Sequence, residues 1–138
     1  ISEDNVNKII NAICMYEEQV IRQSKETTKN NTGVVLTVAI NYGSRDEIVS
    51  AVKKIIKNGV KEEEITQELI SKYLYTSDLP DPDFLIRTSG EKRISNYLLW
   101  QIAYSEIYVT STYWPEFDKE QLAKAIIEFG LRQRRYEK

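Results

Sequence analysis

The chain should fold as a layered α/β structure, a parallel sheet with helices packed on it, and three features of the sequence point there. Residues 34–40, Val-Val-Leu-Thr-Val-Ala-Ile, form a near-continuous apolar run. That is how a strand buried on both faces of a parallel sheet reads. A second, shorter strand-like run at residues 83–87 ends on Arg87 and leads into a glycine-containing loop. Segments with helical spacing of apolar residues alternate with these runs, and alternation of this kind implies parallel pairing through right-handed crossovers.

Residues 3–29 read as one long helix, with Val6, Ile9, Ile10, Ile13, Val20 and Ile21 at helical spacing and charges on the opposite face. Ser2 can cap it. A chain that opens directly on such a helix is expected to be part of a larger domain. The 34–40 strand stops at Asn41-Tyr42-Gly43. Ser44-Arg45-Asp46-Glu47 has the form of a capping box. Ile48, Ala51, Val52, Ile55 and Ile56 then give an apolar stripe, which Asn58-Gly59 terminates. A further helix is expected over residues 64–73, with Ile65, Leu69 and Tyr73 on one side. Leu79-Pro80-Asp81-Pro82 breaks the chain before the 83–87 strand. Ser95 or Asn96 should open a helix ending near Tyr104, residues 107–110 should form a short strand, and residues 114–117 a loop. Asp118 should cap a last helix carrying Leu122, Ala125, Ile126 and Phe129.

The 138 residues amount to a single domain's worth of chain, and 41% hydrophobic with 29% charged content is ordinary for a globular protein. A net charge of −2 does not suggest nucleic acid as a partner. No apolar stretch approaches the ~20 residues that span a bilayer, and no signal peptide is visible. Cys14 is the single cysteine, so no internal disulfide can form and a reducing compartment fits. Its place on a helix suits a small packed residue. Histidine is absent, which excludes the usual hydrolase triads and imidazole metal sites. Carboxylates remain as metal ligands, and they favour a hard ion such as magnesium.

The most informative run is residues 86–101. A strand delivers Arg87 to its C-terminal edge, a short loop carries Arg93, and Ser95 stands where a helix can begin. Guanidinium forks bind phosphate oxygens bidentately. A serine hydroxyl and backbone N–H groups at a helix start add donors. Together these describe a diphosphate-binding site. The alternative is surface ion pairing of Arg87 and Arg93 with Asp81, Asp83 or Glu91, worth ~0–1 kcal/mol. Ligands of parallel α/β sheets bind beyond the carboxyl ends of the strands. Asn41 and its neighbours to Arg45 should lie there too, although a tight turn explains Gly43 and Ser44 without a ligand, and Arg45 suits a helix end. Glu106 is a further candidate. A carboxylate near a bound diphosphate needs an intervening cation, and magnesium would serve; an exposed glutamate is the alternative. Trp100 and Trp114 read as packing residues.

Arg-Thr-Ser-Gly-Glu at 87–91, Arg-Ile-Ser-Asn-Tyr-Leu-Leu-Trp-Gln at 93–101, Tyr-Ser-Glu at 104–106 and Trp-Pro-Glu-Phe-Asp at 114–118 resemble the C-terminal signature of the cis-prenyltransferases, of which undecaprenyl diphosphate synthase is the best-known member. Asn-Asn-Thr-Gly at 30–33 and Asn-Tyr-Gly-Ser-Arg-Asp-Glu-Ile at 41–48 are similar to the family's central block, so the likeness covers roughly residues 28–135. The resemblance implies that residues 1–138 are the C-terminal portion of one cis-prenyltransferase domain. It implies chain elongation, in which isopentenyl diphosphate condenses onto an allylic diphosphate such as farnesyl diphosphate. It implies that Arg87, Arg93 and Ser95 hold the diphosphate of isopentenyl diphosphate, that Glu106 takes part in magnesium binding, and that Val34 and Leu36 line a tunnel for the growing chain. It further implies a homodimer, with the aromatic–aliphatic stretch Tyr104, Ile107, Tyr108 and Val109 at or near the interface; burial under the last helix is an equally simple reading of that stretch.

The family's Asp-Gly-Asn-Gly-Arg-like loop, with its essential aspartate, has no counterpart in these residues. No catalytic residue is therefore expected within them, and the chain by itself should be inactive. The tail, Gln133-Arg134-Arg135-Tyr136-Glu137-Lys138, departs from the arginine-then-Phe-Gly-Gly ending of bacterial members. Two rivals share parts of this reading: a non-catalytic subunit of a heteromeric cis-prenyltransferase, and a phosphate-binding module of another family, which lacks support from any P-loop or Gly-x-Gly-x-x-Gly pattern. The expected location is the cytoplasm, with peripheral membrane contact for product release or an organelle left open.

Overall fold

The computed structural model describes residues 18–132. They divide into two compact units, within residues 1–38 and residues 39–138. In the first unit, residues 18–28 form a helix, α1. Thr27 and Thr28 donate their hydroxyls to the carbonyls of Gln23 and Ser24, one turn back, at 2.9 and 2.8 Å. The earlier turns expected for this helix, with Ser2 and Cys14, lie outside the described residues.

The second unit holds α2 (Ser44–Lys57), α3 (Gln67–Tyr73), β1 (Phe84–Arg87), β2 (Glu106–Val109) and α4 (Lys119–Leu131), with single 3-10 turns at Glu62–Glu64 and Trp114–Glu116. β1 and β2 pair in parallel, with Phe84 opposite Glu106 and Arg87 opposite Val109. The α/β class and the parallel pairing expected from the sequence are both present. Phe84 packs between Tyr108 and Phe129, at ring-centroid distances of 6.1 and 4.5 Å, which sets α4 against the sheet. Asp118 caps α4 as its position predicts, its Oδ1 accepting from the backbone N–H groups of Glu120 and Gln121 at 2.9 and 3.0 Å. Thr66 caps α3 in the same manner, accepting from Leu69 N–H.

Three expectations need correction. Residues 34–40 are not a strand: they are irregular, and Val34 and Leu36 are 98% and 84% exposed. Apolar composition favours burial but cannot supply pairing. A parallel interior strand needs backbone partners on both edges, and β1 and β2 form a two-stranded sheet with each other. The helix expected from Ser95 to Tyr104 is a succession of turns. Ser95, Asn96 and Leu98 have φ of 54°, 61° and 46°, left-handed values that no right-handed helix accommodates.

The third correction concerns the start of α2. Gly43 is its N-cap, and no side chain caps from that position. The orphan N–H groups of Ser44 and Arg45 instead donate to Asn96, to its backbone carbonyl at 2.8 Å and to its Oδ1 at 2.9 Å. A segment fifty residues away thus does the work of the local capping box. Gly43 permits it, since a Cβ there would stand 2.9 Å from Asn96 Nδ2. The buried face of α2 is Ser44, Glu47, Ala51 and Ile55, whereas Val52 and Ile56 of the expected stripe are 44% and 72% exposed.

Candidate anion-binding site

An open cavity of about 310 Å³ lies at the C-terminal end of β1. The sheet contributes Leu85, Ile86, Arg87, Ile107 and Val109, and the following loop contributes Glu91, Lys92, Arg93, Ile94 and Tyr97. Its position is the one the strand–loop pattern predicts. It combines three cationic side chains and one carboxylate with an aliphatic and aromatic wall.

The two arginines differ in how they are engaged. Arg93 donates Nη1 to Glu91 Oε2. The Arg93 and Glu91 side chains remain 67% and 40% exposed, so the pair is worth about 0–1 kcal/mol and an incoming anion can displace it. Ion pairing, the alternative reading, is therefore present for Arg93 and energetically slight. Arg87 is different. It forms no ion pair among the described residues, and its buried Nε has no hydrogen-bond partner. A buried guanidinium N–H without an acceptor costs free energy.

The loop backbone contributes less than the sequence suggests. Ser89 and Gly90, both at left-handed φ near 68°, spend their N–H groups on the carbonyls of Thr112 and Thr110, at 2.9 and 2.7 Å. No helix starts at Ser95, so there is no helix dipole to draw on at that point. Anion binding here rests on side chains.

Of the other candidates in the second unit, Ser95, Asn41 and Glu106 are not among the residues that line the cavity. Ser95 is exposed, in the turn that follows Ile94, and does not line it. Asn41 is exposed at φ 50°. Val34 and Leu36 belong to the first unit, where both are exposed. Glu106 stands opposite Phe84, at the far end of the strand pair from Arg87, roughly 10 Å away at the ~3.3 Å rise of a strand. Its carboxylate accepts from Arg132 Nη1 at 2.8 Å. Arg132 also donates to Ile107 O and to Glu128, at 2.9 and 2.7 Å. These carboxylates, Glu128 first, hold the Arg132 guanidinium proton more tightly than usual. No cluster of three acidic or cysteine ligands exists among the described residues. Glu106 is thus paired with Arg132 in this structure and set three strand positions from the residue opposite Arg87.

Sequence reasoning passed over a buried polar node beside the cavity. Glu47 is 0% exposed. It accepts from the Tyr42 hydroxyl, from Tyr75 N–H at 2.7 Å and from the Gln101 amide at 3.2 Å. Burial first, and then the Glu47 hydrogen bond, push the Tyr42 phenol up to about 12. The Tyr42 ring meets Tyr97 edge-on, with centroids 5.7 Å apart and planes at 81°. A glutamate inside what reads as a helix-start motif gave no sequence signal for this; it takes the fold to bring Tyr75 and Gln101 to it.

Residues 9–137 match the prenyltransferase family described as "Putative undecaprenyl diphosphate synthase". The chain is 52% identical over 125 residues to an isoprenyl transferase of Bacillus cereus, covering 88% of this chain and 48% of that protein. It is 56% identical over 119 residues to an isoprenyl transferase of Fusobacterium nucleatum, covering 86% and 50%. The crystal structure of lavandulyl diphosphate synthase from Lavandula x intermedia, in complex with dimethylallyl diphosphate, superposes with a TM-score of 0.81 at 30% identity, over 88% of this chain and 54% of that one. The chain thus spans about half the length of the relatives it matches. An α/β unit with a parallel strand pair, an arginine-bearing loop at its carboxyl end, and identities above one half to isoprenyl transferases place this chain in the undecaprenyl diphosphate synthase family of prenyltransferases.

Proposed function

We propose that this chain supplies the isopentenyl diphosphate site of a cis-prenyl chain-elongating enzyme. The observation that carries the reading is the cavity at the end of β1. Its lining includes the cations Arg87, Lys92 and Arg93 and the aliphatic Ile94, Ile107 and Val109. A ligand with a diphosphate head and a short branched hydrocarbon tail matches that combination of charged and apolar lining. The guanidinium groups would take the phosphate oxygens in charge-assisted bonds. The aliphatic wall would hold the double bond in a fixed place, so that it attacks the allylic carbon as that carbon's diphosphate leaves, and the resulting cation then loses a proton to give the new double bond. What these residues supply is positioning and charge neutralisation. The allylic diphosphate, the ionisation of its C–O bond and a homodimeric assembly near Tyr104, Ile107, Tyr108 and Val109 belong to the same proposal. No helix among those residues is long and apolar enough to cross a membrane.

Calorimetric titration with isopentenyl diphosphate tests the reading. Arg87→Ala and Arg93→Ala should each weaken binding by ~1.5–3 kcal/mol, roughly 10- to 150-fold, the scale of a lost charged hydrogen bond. Affinity for an allylic diphosphate should change far less. Unchanged isopentenyl diphosphate affinity in both variants would refute the assignment.

A further inference from the structure

Tyr97 is the aromatic residue of the cavity lining, and within its own segment one turn bond, its N–H to Ile94 O at 3.2 Å, holds it. It is 40% exposed, and it lies between Asn96 and Leu98, both at left-handed φ. Such backbone costs a non-glycine residue about 1–2 kcal/mol and persists only where neighbours enforce it. The enforcing groups come from the start of α2. The N–H groups of Ser44 and Arg45 fix Asn96, and Leu99 N–H donates to Ser44 Oγ at 2.9 Å. These bonds hold the backbone on either side of Tyr97. The ring itself is met by Tyr42, edge-on. Tyr42 is fixed in turn by its hydroxyl bond to Glu47, a side chain with no exposure at all that is also held by Tyr75 N–H and Gln101.

We propose that Tyr42 and Glu47 are positioning residues for the anion cavity. Glu47 anchors the Tyr42 hydroxyl, the Tyr42 ring orients Tyr97, and Tyr97 closes the cavity beside Arg87 and Arg93. The proposal rests on the cavity being a diphosphate site. It extends that reading to residues that touch no ligand. An edge-to-face pair contributes about 0.5–1.5 kcal/mol beyond its buried area. If that interaction selects the binding-competent orientation of Tyr97, its loss is worth about 2- to 13-fold in affinity.

The test is a double-mutant cycle read by calorimetry with inorganic diphosphate, at a temperature where near-ultraviolet circular dichroism shows every variant folded. Tyr42→Leu should raise the dissociation constant roughly 3- to 10-fold. Tyr42→Phe, which keeps the ring and loses the anchor, should raise it about 2-fold. In a Tyr97→Leu background both substitutions should lose their effect, because the relay then has no endpoint. A merely structural role would lower the melting temperature while leaving affinity alone, or would weaken binding equally in both backgrounds, and either result overturns the proposal. Should Tyr42→Leu fail to fold, the Tyr42→Phe arm decides by the same criterion. Arg93→Ala separates the two levels. If it weakens diphosphate binding and the Tyr42 variants do not, the relay alone is wrong. If wild type and Arg93→Ala bind equally, the diphosphate reading fails and the relay falls with it.

Discussion

Replacing Glu47 by leucine and by glutamine separates two roles of a buried carboxylate. It sits at no exposure on α2, accepts from three donors, and among the described residues no cation pairs with it. Leucine of similar volume removes the acceptor. Tyr75 N–H then loses its 2.7 Å bond, and the Tyr42 hydroxyl and the Gln101 amide lose theirs. Each orphaned donor costs about 1–3 kcal/mol. The sum is tempered, because Gln101 keeps Thr76 Oγ1 at 2.9 Å and the apolar side chain gains from burial. The expected net loss is about 2–4 kcal/mol, a fall in melting temperature on the order of 10–20 °C. Glutamine should cost only about 1 kcal/mol by the same inventory. One oxygen remains for Tyr75 N–H, a phenol hydroxyl can accept as well as donate, and Gln101 can turn its unpartnered Oε1 toward the new amide. Urea denaturation followed by tryptophan fluorescence measures both, and Trp100 is a local probe because its indole N–H donates to Ser71 Oγ at 3.0 Å. Equal losses for the two variants would show that charge, not acceptor pattern, is what matters. A leucine variant within 0.5 kcal/mol of wild type, inside the usual scatter of neutral substitutions, would show that these bonds contribute nothing.

Two further outcomes follow from named contacts. Because the Tyr42 phenol is raised from 10.0 to about 12, the folded state holds this proton more tightly than the unfolded state. Its contribution is full below pH 10 and is lost as pH rises from 10 to 12; Tyr42→Phe should flatten the fall in stability between pH 9 and 11.5, and an identical fall in the variant would contradict the linkage. Glu106→Gln removes one of the carboxylates on Arg132 and should cost about 0.5–1 kcal/mol, the scale of a part-exposed pair. If pairing with Arg132 is the whole role of Glu106, magnesium should shift the melting temperatures of wild type and variant alike, and a shift confined to wild type would mark Glu106 as a metal ligand.

The arginine loop was legible in the sequence because everything it needs is local. A short strand must end somewhere, the residue at its end must face the carboxyl edge, and a glycine-bearing loop must carry the next arginine back past it. Arg87 and Arg93 therefore share a cavity in the structure as the spacing predicts. Ser95 and Glu106 were placed by motif, without the distances that tertiary structure imposes. A helix start was expected at Ser95 because serine caps helices well, but Asn96 is recruited to cap α2, and that bond holds the segment in left-handed turns. Glu106 is one strand length from Arg87 because parallel register pairs it with Phe84, and register is invisible in a single strand's sequence.

By itself, then, the sequence determined the α/β class, the β1–loop signature, the Asp118 cap of α4 and the family, since each depends on residues within a few positions of one another. Only the tertiary structure decided which donors and acceptors meet across the chain. Asn96 satisfies the N–H groups of Ser44 and Arg45, Glu47 gathers Tyr42, Tyr75 and Gln101, and Arg132 claims Glu106. The physical reason is that buried polar groups must find partners wherever the packed backbone brings them. The identity of a distant partner is fixed by packing and not by local spacing.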